Sequence, residues 1–434
     1  MSEGSSFDIT PHIIKPIYFF DEADRGNKML LGGKGAGLAE MTRLGLPVPP
    51  GFIITTEICE KFYEAGRRLP DGLMDEVRKS IAHLESVTGK RFGDRENPLL
   101  ISVRSGAPVS MPGMMDTLLN LGLNDETVEG LAKQSGKPQF AWDTYWRFVQ
   151  MLGKIILGMD ARKFESMAAG KDLSNLRDLK IIVNSAKSLC EEMGKKLPTD
   201  PYKQLELAID AVFRSWMGKR AVEYRKQYNI TPDMARGTAV TVVAMVFGNM
   251  GSDSCTGVVF TRNPETGEKR LYGDYLVNAQ GEDVVSGKAT PNHIDMLVRE
   301  MPAVYRQLLE VTQKLENHFK EPQDVEFTVE SGRLFILQTR AAKMNAVAAV
   351  KTSVDLYHEG LISKTAALER INPEALEQLL YRRIDLHAKQ KPIAIGVGAS
   401  PGAASGITVF DIECAEALGK NGEKVILVRE DTKP

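Results

Sequence analysis

The chain has 434 residues, enough for about three average domains. Its 55 basic and 57 acidic residues leave a formal net charge of −2, which excludes both a disordered acidic chain and a strongly basic nucleic-acid-binding protein. Four widely spaced cysteines exclude a disulfide framework. No apolar run is long enough to span a membrane and the first residues carry no targeting pattern, so we expect an unprocessed, cytoplasmic protein with no nucleic-acid or membrane partner.

The first part of the chain alternates predicted helices and strands. A glycine-rich turn leads into a helix over residues 34–44, with Gly45 at its C-terminal end. Apolar runs and helical periods then predict a strand, two helices and a second strand, over residues 52–55, 57–66, 72–87 and 99–103. We expect the second strand to deliver Arg104 into a loop that ends near Met115.

Changes of pattern divide the chain into five predicted segments. They are a first strand-and-helix subdomain, a helical insertion, a second and β-rich subdomain, a helical linker and the incomplete start of a further domain, over residues 1–123, 124–236, 237–340, 341–391 and 392–434. Helical periods dominate the insertion over residues 142–157, 179–193 and 202–228. In the second subdomain we expect three strands, a helix and a hairpin, over residues 238–247, 257–261, 269–277, 302–318 and 324–339.

A glycine-rich motif over residues 31–37 is the first candidate for chemistry. Its glycines free backbone amides at the start of a helix, and Lys34 adds a mobile positive charge, a combination suited to phosphate. The spacing of a Walker A loop is absent. A flexible turn with an exposed lysine is the alternative.

The segment from Arg104 to Thr117 is the second candidate. A cation at the end of a strand, followed by a long loop of small residues, suits a lid that closes over phosphates. Three methionines within the loop are more often core filler than a binding surface. Both interpretations remain open from the sequence.

The predicted hairpin over residues 324–339 is the third candidate. Strand alternation places Asp324 and Glu326 on one face. A two-residue turn would set Glu326 opposite Leu337, whereas a three-residue loop ending at a left-handed glycine sets Asp324 opposite Gln338, and we favour the loop. Carboxylate and amide oxygens near Arg340 would then suit Mg²⁺ and a polyphosphate. A solvent-exposed face with a surface ion pair is the alternative.

Taken together, these motifs closely resemble the pyruvate phosphate dikinase family. The resemblance rests on residues 32–40, 104–120 and 324–340, and continues through residues 280–285 and 359–363. It extends over essentially all 434 residues. The related phosphoenolpyruvate synthases and rifampicin phosphotransferases share the Gly-Gly-Lys and Leu-Gln-Thr-Arg elements in looser form, so a phosphoenolpyruvate synthase-like dikinase is an alternative.

The resemblance implies an α+β, multi-subdomain ATP-grasp nucleotide-binding fold with a helical insertion, a helical linker and the truncated start of a swivelling phosphohistidine domain. By match of motif, Lys34, Arg104 and Arg340 would hold ATP phosphates, and Arg147 would assist at the transferring group. Glu326 and Gln338 would bind Mg²⁺ with support from Asp324. The loop would close through Met115 and Thr117, and the nucleoside would meet the strand residues Ala244, Met245 and Val246 and, near the ribose, Glu282.

Members of this family convert ATP, pyruvate and phosphate to AMP, phosphoenolpyruvate and diphosphate through a phosphohistidine. The family's acceptor motif, Gly-Gly-x-x-Ser-His, precedes none of the six histidines of this sequence. The resemblance therefore implies that the chain binds Mg-ATP, lacks the phosphohistidine and pyruvate sites, and is a monomer although full-length relatives are often homodimers. A non-catalytic ATP-sensing module is the alternative from a different functional class.

Overall fold

The structure, a computed structural model, describes residues 15–281, 283, 290–377, 381, 384, 392–394 and 402–429. It is a mixture of helices and sheets, which confirms the expected α+β class. The chain forms two compact units. The first contains Met1–Thr261, Leu271–Leu315 and Gln323–Ala341, and the second contains Arg262–Arg270, Glu316–Pro322 and Ala342–Pro434.

Two five-stranded antiparallel sheets form the framework of the first unit. The first sheet has the order β1-β2-β7-β5-β6, with strands β1 Ile17–Phe19, β2 Gly51–Ile54, β7 Ala239–Ala244, β5 Ile101–Gly106 and β6 Thr117–Leu121. The second sheet has the order β10-β9-β8-β11-β12, with strands β10 Asn292–His293, β9 Tyr272–Val277, β8 Cys255–Phe260, β11 Gln323–Glu330 and β12 Arg333–Ala341. A short parallel pair consists of β3 Arg91–Phe92 and β4 Pro98–Leu99.

Helices occur in both units. Those that precede the second sheet are α1 Lys28–Arg43, α2 Thr56–Glu64, α3 Leu73–Thr88, α4 Thr127–Ser135, α5 Pro138–Ile155, α6 Ala161–Ala168, α7 Leu176–Glu192, α8 Pro201–Ser215 and α9 Lys219–Gln227. The later ones are α10 Leu297–Glu300, α11 Pro302–Phe319, α12 Ala346–His358, α13 Lys364–Glu369, α14 Pro373–Glu377 and α15 Ile412–Lys420. Two short 3-10 helices cover Arg25–Asn27 and Ile294–Met296. Within the described ranges, no helix combines the length and the apolar character that a membrane crossing requires.

The helical segment after β6 shares one hydrophobic core with the first sheet. Phe52 of β2 and Val103 of β5 belong to the same buried cluster as Phe148 of α5 and Phe213 of α8. The amphipathic pattern of these helices explains the arrangement, because each turns its apolar residues toward the sheet and its charged residues outward. The helices therefore stabilise the sheet that carries the site.

A buried arginine organises the second unit. The Arg262 side chain is fully buried, and its Nη2 donates hydrogen bonds to Glu316 Oε1 at 2.7 Å and Glu359 Oε2 at 2.9 Å. A third carboxylate, that of Asp355, lies 3.5 Å from Nη1. The network joins three segments that are distant in sequence. The second unit also contains a parallel strand pair, β13 Ile407–Val409 and β14 Val425–Leu427.

Most predicted elements are present, but the helix over residues 202–228 and the end of the second predicted strand differ from the prediction. The helix predicted over residues 202–228 is two helices, α8 and α9, because the chain turns at Gly218, whose extended backbone precedes α9. Arg104 was expected in a loop but lies inside β5, which continues to Gly106 through pairing with β7. The loop therefore begins at Ala107. Residue 391, at the expected end of the linker, lies outside the described residues.

Candidate functional site

A cleft lies within the first unit, between its two sheets and the start of α1. Six residues that the sequence singles out line it: Lys34, Arg104, Ala244, Met245, Val246 and Gln338. Six further lining residues were missed: Leu38, Pro49, Ser102, Thr241, Val243 and Leu337. The cleft thus gathers side chains from segments that are far apart in sequence.

A glycine turn brings Lys34 into the cleft. Gly32 has φ 69°, and a Cβ atom at this position would lie 1.7 Å from the carbonyl oxygen of Gly106. The Gly33 amide donates a hydrogen bond to Ala107 O at 2.9 Å, so the turn rests directly on the end of β5. The helix proper continues from there, as predicted. Lys34 is half-buried, which contradicts the alternative of an exposed lysine on a flexible turn.

The electrostatic surroundings of Lys34 connect it with three other candidates. Burial, together with repulsion by Arg104 and Arg340, lowers its pKa from 10.5 to about 8 against the attraction of Glu326. These three groups therefore lie within electrostatic range of one amine. Three cations are set against two carboxylates, those of Glu326 and of Asp324, the hydrogen-bond partner of Arg340. One positive charge remains in excess, which favours an anionic ligand.

Arg104 stands between two threonines on the face of the first sheet that lines the cleft. In the strand register it pairs with Thr241 of β7 on one side and with Thr117 of β6 on the other. Directly paired residues of antiparallel strands share a face. Thr117, expected at the end of the loop, is therefore the first residue of β6 and a neighbour of Arg104.

The hairpin turn was predicted wrongly. Glu330 pairs with Arg333, so the turn has two residues, and both have positive φ values, 48° at Ser331 and 77° at Gly332. These values are typical of a type I′ turn, which matches the twist of the strands. The expected three-residue loop does not form.

A β-bulge nevertheless keeps the candidate metal ligands together. The register shifts between Glu326 and Phe327, so that Glu326 pairs with Gln338 and Asp324 pairs with Arg340. The predicted pairing of Asp324 with Gln338 is therefore wrong. Asp324, Glu326, Gln338 and Arg340 still share one face. A two-residue turn alone would have placed Gln338 and Arg340 on the opposite face, and the extra residue, Leu337, returns them to the face of the carboxylates.

The oxygen atoms on this face fit a hard divalent cation. Arg340 Nε donates a hydrogen bond to Asp324 Oδ2 at 2.7 Å, while Asp324 Oδ1 is buried and has no hydrogen-bond partner among the described residues. The Asp324 carboxylate, the Glu326 carboxylate and the Gln338 amide oxygen are on one face and are donors of the kind that Mg²⁺ prefers. No cluster of three or more His, Cys, Asp or Glu side chains suited to a metal occurs in the described part of the chain. A cation here would therefore need further oxygen ligands from a bound phosphate or water.

The methionine-rich loop packs against the protein. Met111 is buried, and Met114 and Met115 are half-buried against the core of the first unit. This arrangement agrees with the core-filler interpretation of the methionines. Met115 is not among the residues that line the cleft. A role for the loop as a lid stays a prediction.

The structure holds Arg147 away from the cleft lining. Its Nε donates a hydrogen bond to Asp143 and its Nη1 to Asp283, each at 3.0 Å. Burial opposes its charge, but the two carboxylates raise the pKa of Arg147 above its usual value. Glu282, the expected ribose contact, lies outside the described residues.

The segment expected to meet adenine uses part of its backbone internally. The Ala244 amide donates a hydrogen bond to Pro50 O and the Met245 amide to Leu100 O, each at 2.9 Å. Neither amide is therefore available to a bound base. The apolar side chains of Ala244, Met245 and Val246 can still supply a nonpolar wall.

Comparisons with known proteins show the family of this chain. The family model "Pyruvate phosphate dikinase, AMP/ATP-binding domain" matches residues 28–71, 67–308 and 303–361. The chain is 52% identical over 430 residues to pyruvate, phosphate dikinase from Entamoeba histolytica, covering 96% of this chain and 48% of the relative. It is 48% identical over 438 residues to the protein of that name from Rickettsia conorii, covering 97% and 50%, and 47% identical over 433 residues to that from Clostridium symbiosum, covering 97% and 49%. It spans about half the length of these curated relatives. The chain belongs to the pyruvate phosphate dikinase family, and the part that the family model matches is the AMP/ATP-binding domain.

Proposed function

We propose that this chain is the nucleotide-binding part of a pyruvate phosphate dikinase, binding Mg-ATP and supplying the site of pyrophosphoryl transfer. The observation that carries the proposal is the convergence of Lys34, Arg104 and Gln338, from three distant segments, on one cleft. The low pKa of Lys34, caused by its burial and by nearby arginines, supports a site with excess positive charge that an anionic ligand would neutralise.

In this proposal, the cations surround the triphosphate. Lys34, Arg104 and Arg340 neutralise phosphate charge, and Arg147 acts only if nucleotide binding frees it from its two carboxylates. Phosphoryl transfer depends mainly on such charge stabilisation and on alignment. When bound by Glu326 and Gln338 with support from Asp324, Mg²⁺ would add further neutralisation of the phosphates.

The proposal includes an ATP-grasp arrangement of the expected segments. The two sheets would belong to subdomains over residues 1–123 and 237–340, with the helical insertion 124–236 packed on the first sheet. Residues 341–391 would connect them to a swivelling phosphohistidine domain that begins near residue 392. Support comes from the cleft between the two sheets and from the family match.

We further propose that the chain cannot complete the dikinase reaction alone. The reaction would consume ATP, pyruvate and phosphate and release AMP, phosphoenolpyruvate and diphosphate, and it needs a histidine acceptor and a pyruvate site. The acceptor motif is absent from the sequence. The missing groups would therefore come from the remainder of a full-length enzyme.

Two measurements test this function. Isothermal calorimetry should detect Mg-ATP binding to the chain, and absence of binding at millimolar nucleotide would refute the proposal. ATP labelled in its γ-phosphate should then give little acid-labile label on the chain itself but should label a separately added phosphohistidine domain. Mg-ATP binding without transfer to that domain would instead favour an ATP-sensing module.

A further inference from the structure

Thr241 of β7 carries a buried hydroxyl group that no described residue satisfies. The residue is 1% exposed, and its Oγ1 has no hydrogen-bond partner among the described residues. Buried hydroxyl groups are nearly always hydrogen-bonded in native proteins, because leaving one unsatisfied is costly. An exception therefore needs an explanation.

The surroundings of Thr241 point to a ligand rather than to a packing defect. Thr241 lines the cleft together with Lys34 and Arg104, and it is the direct cross-strand partner of Arg104. A Cβ atom built on Gly106 would lie 3.6 Å from both the Lys34 Cβ and the Thr241 Oγ1. The hydroxyl group and the lysine therefore flank the same strand end. Because threonine is branched at Cβ, its side chain is restricted to few χ1 rotamers.

A nearby threonine shows the contrast. The hydroxyl of Thr238 accepts a hydrogen bond from the Gly106 amide at 3.1 Å and donates one to Ala239 O at 3.0 Å. Its role is structural, since it satisfies backbone groups at the end of β5. Thr241, three residues later, makes no such contact with the described residues.

We propose that Thr241 is a phosphate-binding residue, whose hydroxyl donates a hydrogen bond to an oxygen of the nucleotide phosphates held by Lys34 and Arg104. This inference rests on the proposed Mg-ATP binding. The chemistry favours an anionic oxygen as the partner, because lysine and arginine side chains only donate hydrogen bonds and therefore cannot satisfy the hydroxyl as a donor. A phosphate oxygen can accept from all three side chains at once.

Substitution of Thr241 by valine separates a ligand contact from a structural role. Thr241→Val keeps the branched shape and removes only the hydroxyl, so we expect the dissociation constant for Mg-ATP to rise about tenfold or more. The nucleotide-free variant should unfold at the same or a higher temperature than the wild type, because no internal hydrogen bond is lost. Thr241→Ser, which restores the hydroxyl, should bind Mg-ATP within about threefold of the wild type.

Thr127 provides the matched control. It is also fully buried, but its hydroxyl donates to Gly122 O and accepts from the Asn124 amide, each at 2.8 Å, and it does not line the cleft. Thr127→Val should therefore lower the unfolding temperature and leave Mg-ATP affinity unchanged.

Unchanged Mg-ATP affinity in Thr241→Val would overturn the inference. So would a lower unfolding temperature of that variant without nucleotide, because it would assign the hydroxyl to the fold. If the wild-type chain itself fails to bind Mg-ATP, the proposed function falls and this inference falls with it, and the two failures are distinguished by the wild-type titration.

Discussion

Replacing Lys34 by methionine should stabilise the empty protein and weaken nucleotide binding at the same time. Methionine keeps an unbranched chain of similar length and removes the charge. The pKa of Lys34 is lowered from 10.5 to about 8, first by burial and then by the nearby arginines, so the folded protein holds this proton less tightly than the unfolded chain does. The charge is thus a cost to folding that phosphate binding would offset.

The magnitude follows from the two pKa values of Lys34. Their difference, at about 1.4 kcal/mol per pH unit, sets an upper limit of roughly 3.5 kcal/mol at pH 7. Solvent screening reduces this for a half-buried side chain, and we expect a gain in unfolding free energy of about 1 to 2 kcal/mol. Loss of a hydrogen-bonded cation should raise the dissociation constant for Mg-ATP by about tenfold or more.

The pH dependence of stability tests whether the charge of Lys34 destabilises the folded protein. Between pH 8 and 10.5 the unfolded chain binds more protons than the folded one, so wild-type stability should rise with pH in this window. The advantage of Lys34→Met should therefore be complete below pH 8 and disappear by about pH 10.5. Thermal and urea unfolding of nucleotide-free protein in EDTA would measure it, with calorimetry for Mg-ATP.

A variant of an exposed lysine serves as the control. Lys61 lies on the outer side of α2, and Lys61→Met should change neither stability nor nucleotide affinity appreciably. If Lys34→Met were less stable than the wild type at pH 7, the charge would not be a cost to folding. If its Mg-ATP affinity were unchanged, Lys34 would have no part in binding phosphate.

Three further substitutions test the fold and the metal face. Gly32→Ala combines a positive φ with a Cβ atom 1.7 Å from a backbone oxygen, and should lower the free energy of unfolding by roughly 3 kcal/mol or more in urea titrations; wild-type stability would contradict this geometry. Arg262→Met leaves Glu316 and Glu359 without their buried cation and should cost about 3 to 5 kcal/mol, whereas a stability equal to wild type would show that the network is dispensable. Glu326→Gln should reduce the enhancement of ATP binding by Mg²⁺ about tenfold, measured against EDTA, and an unaltered Mg²⁺ effect would remove Glu326 from the metal face.

The fold could be predicted where local pattern and tertiary packing agree. The helix after Gly33 follows from its periodicity, and the strand predicted over residues 52–55 follows from its apolar run, because the core buries these apolar residues. The extension of β5 through Arg104 could not be predicted, since Ser105 and Gly106 are poor strand formers. Pairing with β7, a strand distant in sequence, decides their conformation.

The candidate site was predictable in its charged residues and not in its neutral ones. Lys34 and Arg104 stand out in the sequence because a glycine-rich turn or a long loop accompanies them. Ser102 and Thr241 carry no such signal, because alternation along a strand identifies a shared face without telling which strands are neighbours. Ser102 shares a face with Arg104 on the same strand, whereas the place of Thr241 beside Arg104 depends on the order of strands in the first sheet.

The hairpin shows why a turn can be predicted wrongly while the face that carries the candidate metal ligands is predicted correctly. Strand alternation has a period of two, so a change of one residue in the turn reverses every side chain of the second strand. A compact type I′ turn at Ser331 and Gly332 would on its own separate Gln338 from the acidic face, and the bulge at Leu337 reverses the register once more. The sequence contains the residues for both features, but only the pairing of β11 with its two neighbours determines where the extra residue is absorbed. The two-residue turn and the bulge thus compensate each other. The shared face of the four side chains was therefore predicted correctly although the turn was predicted wrongly.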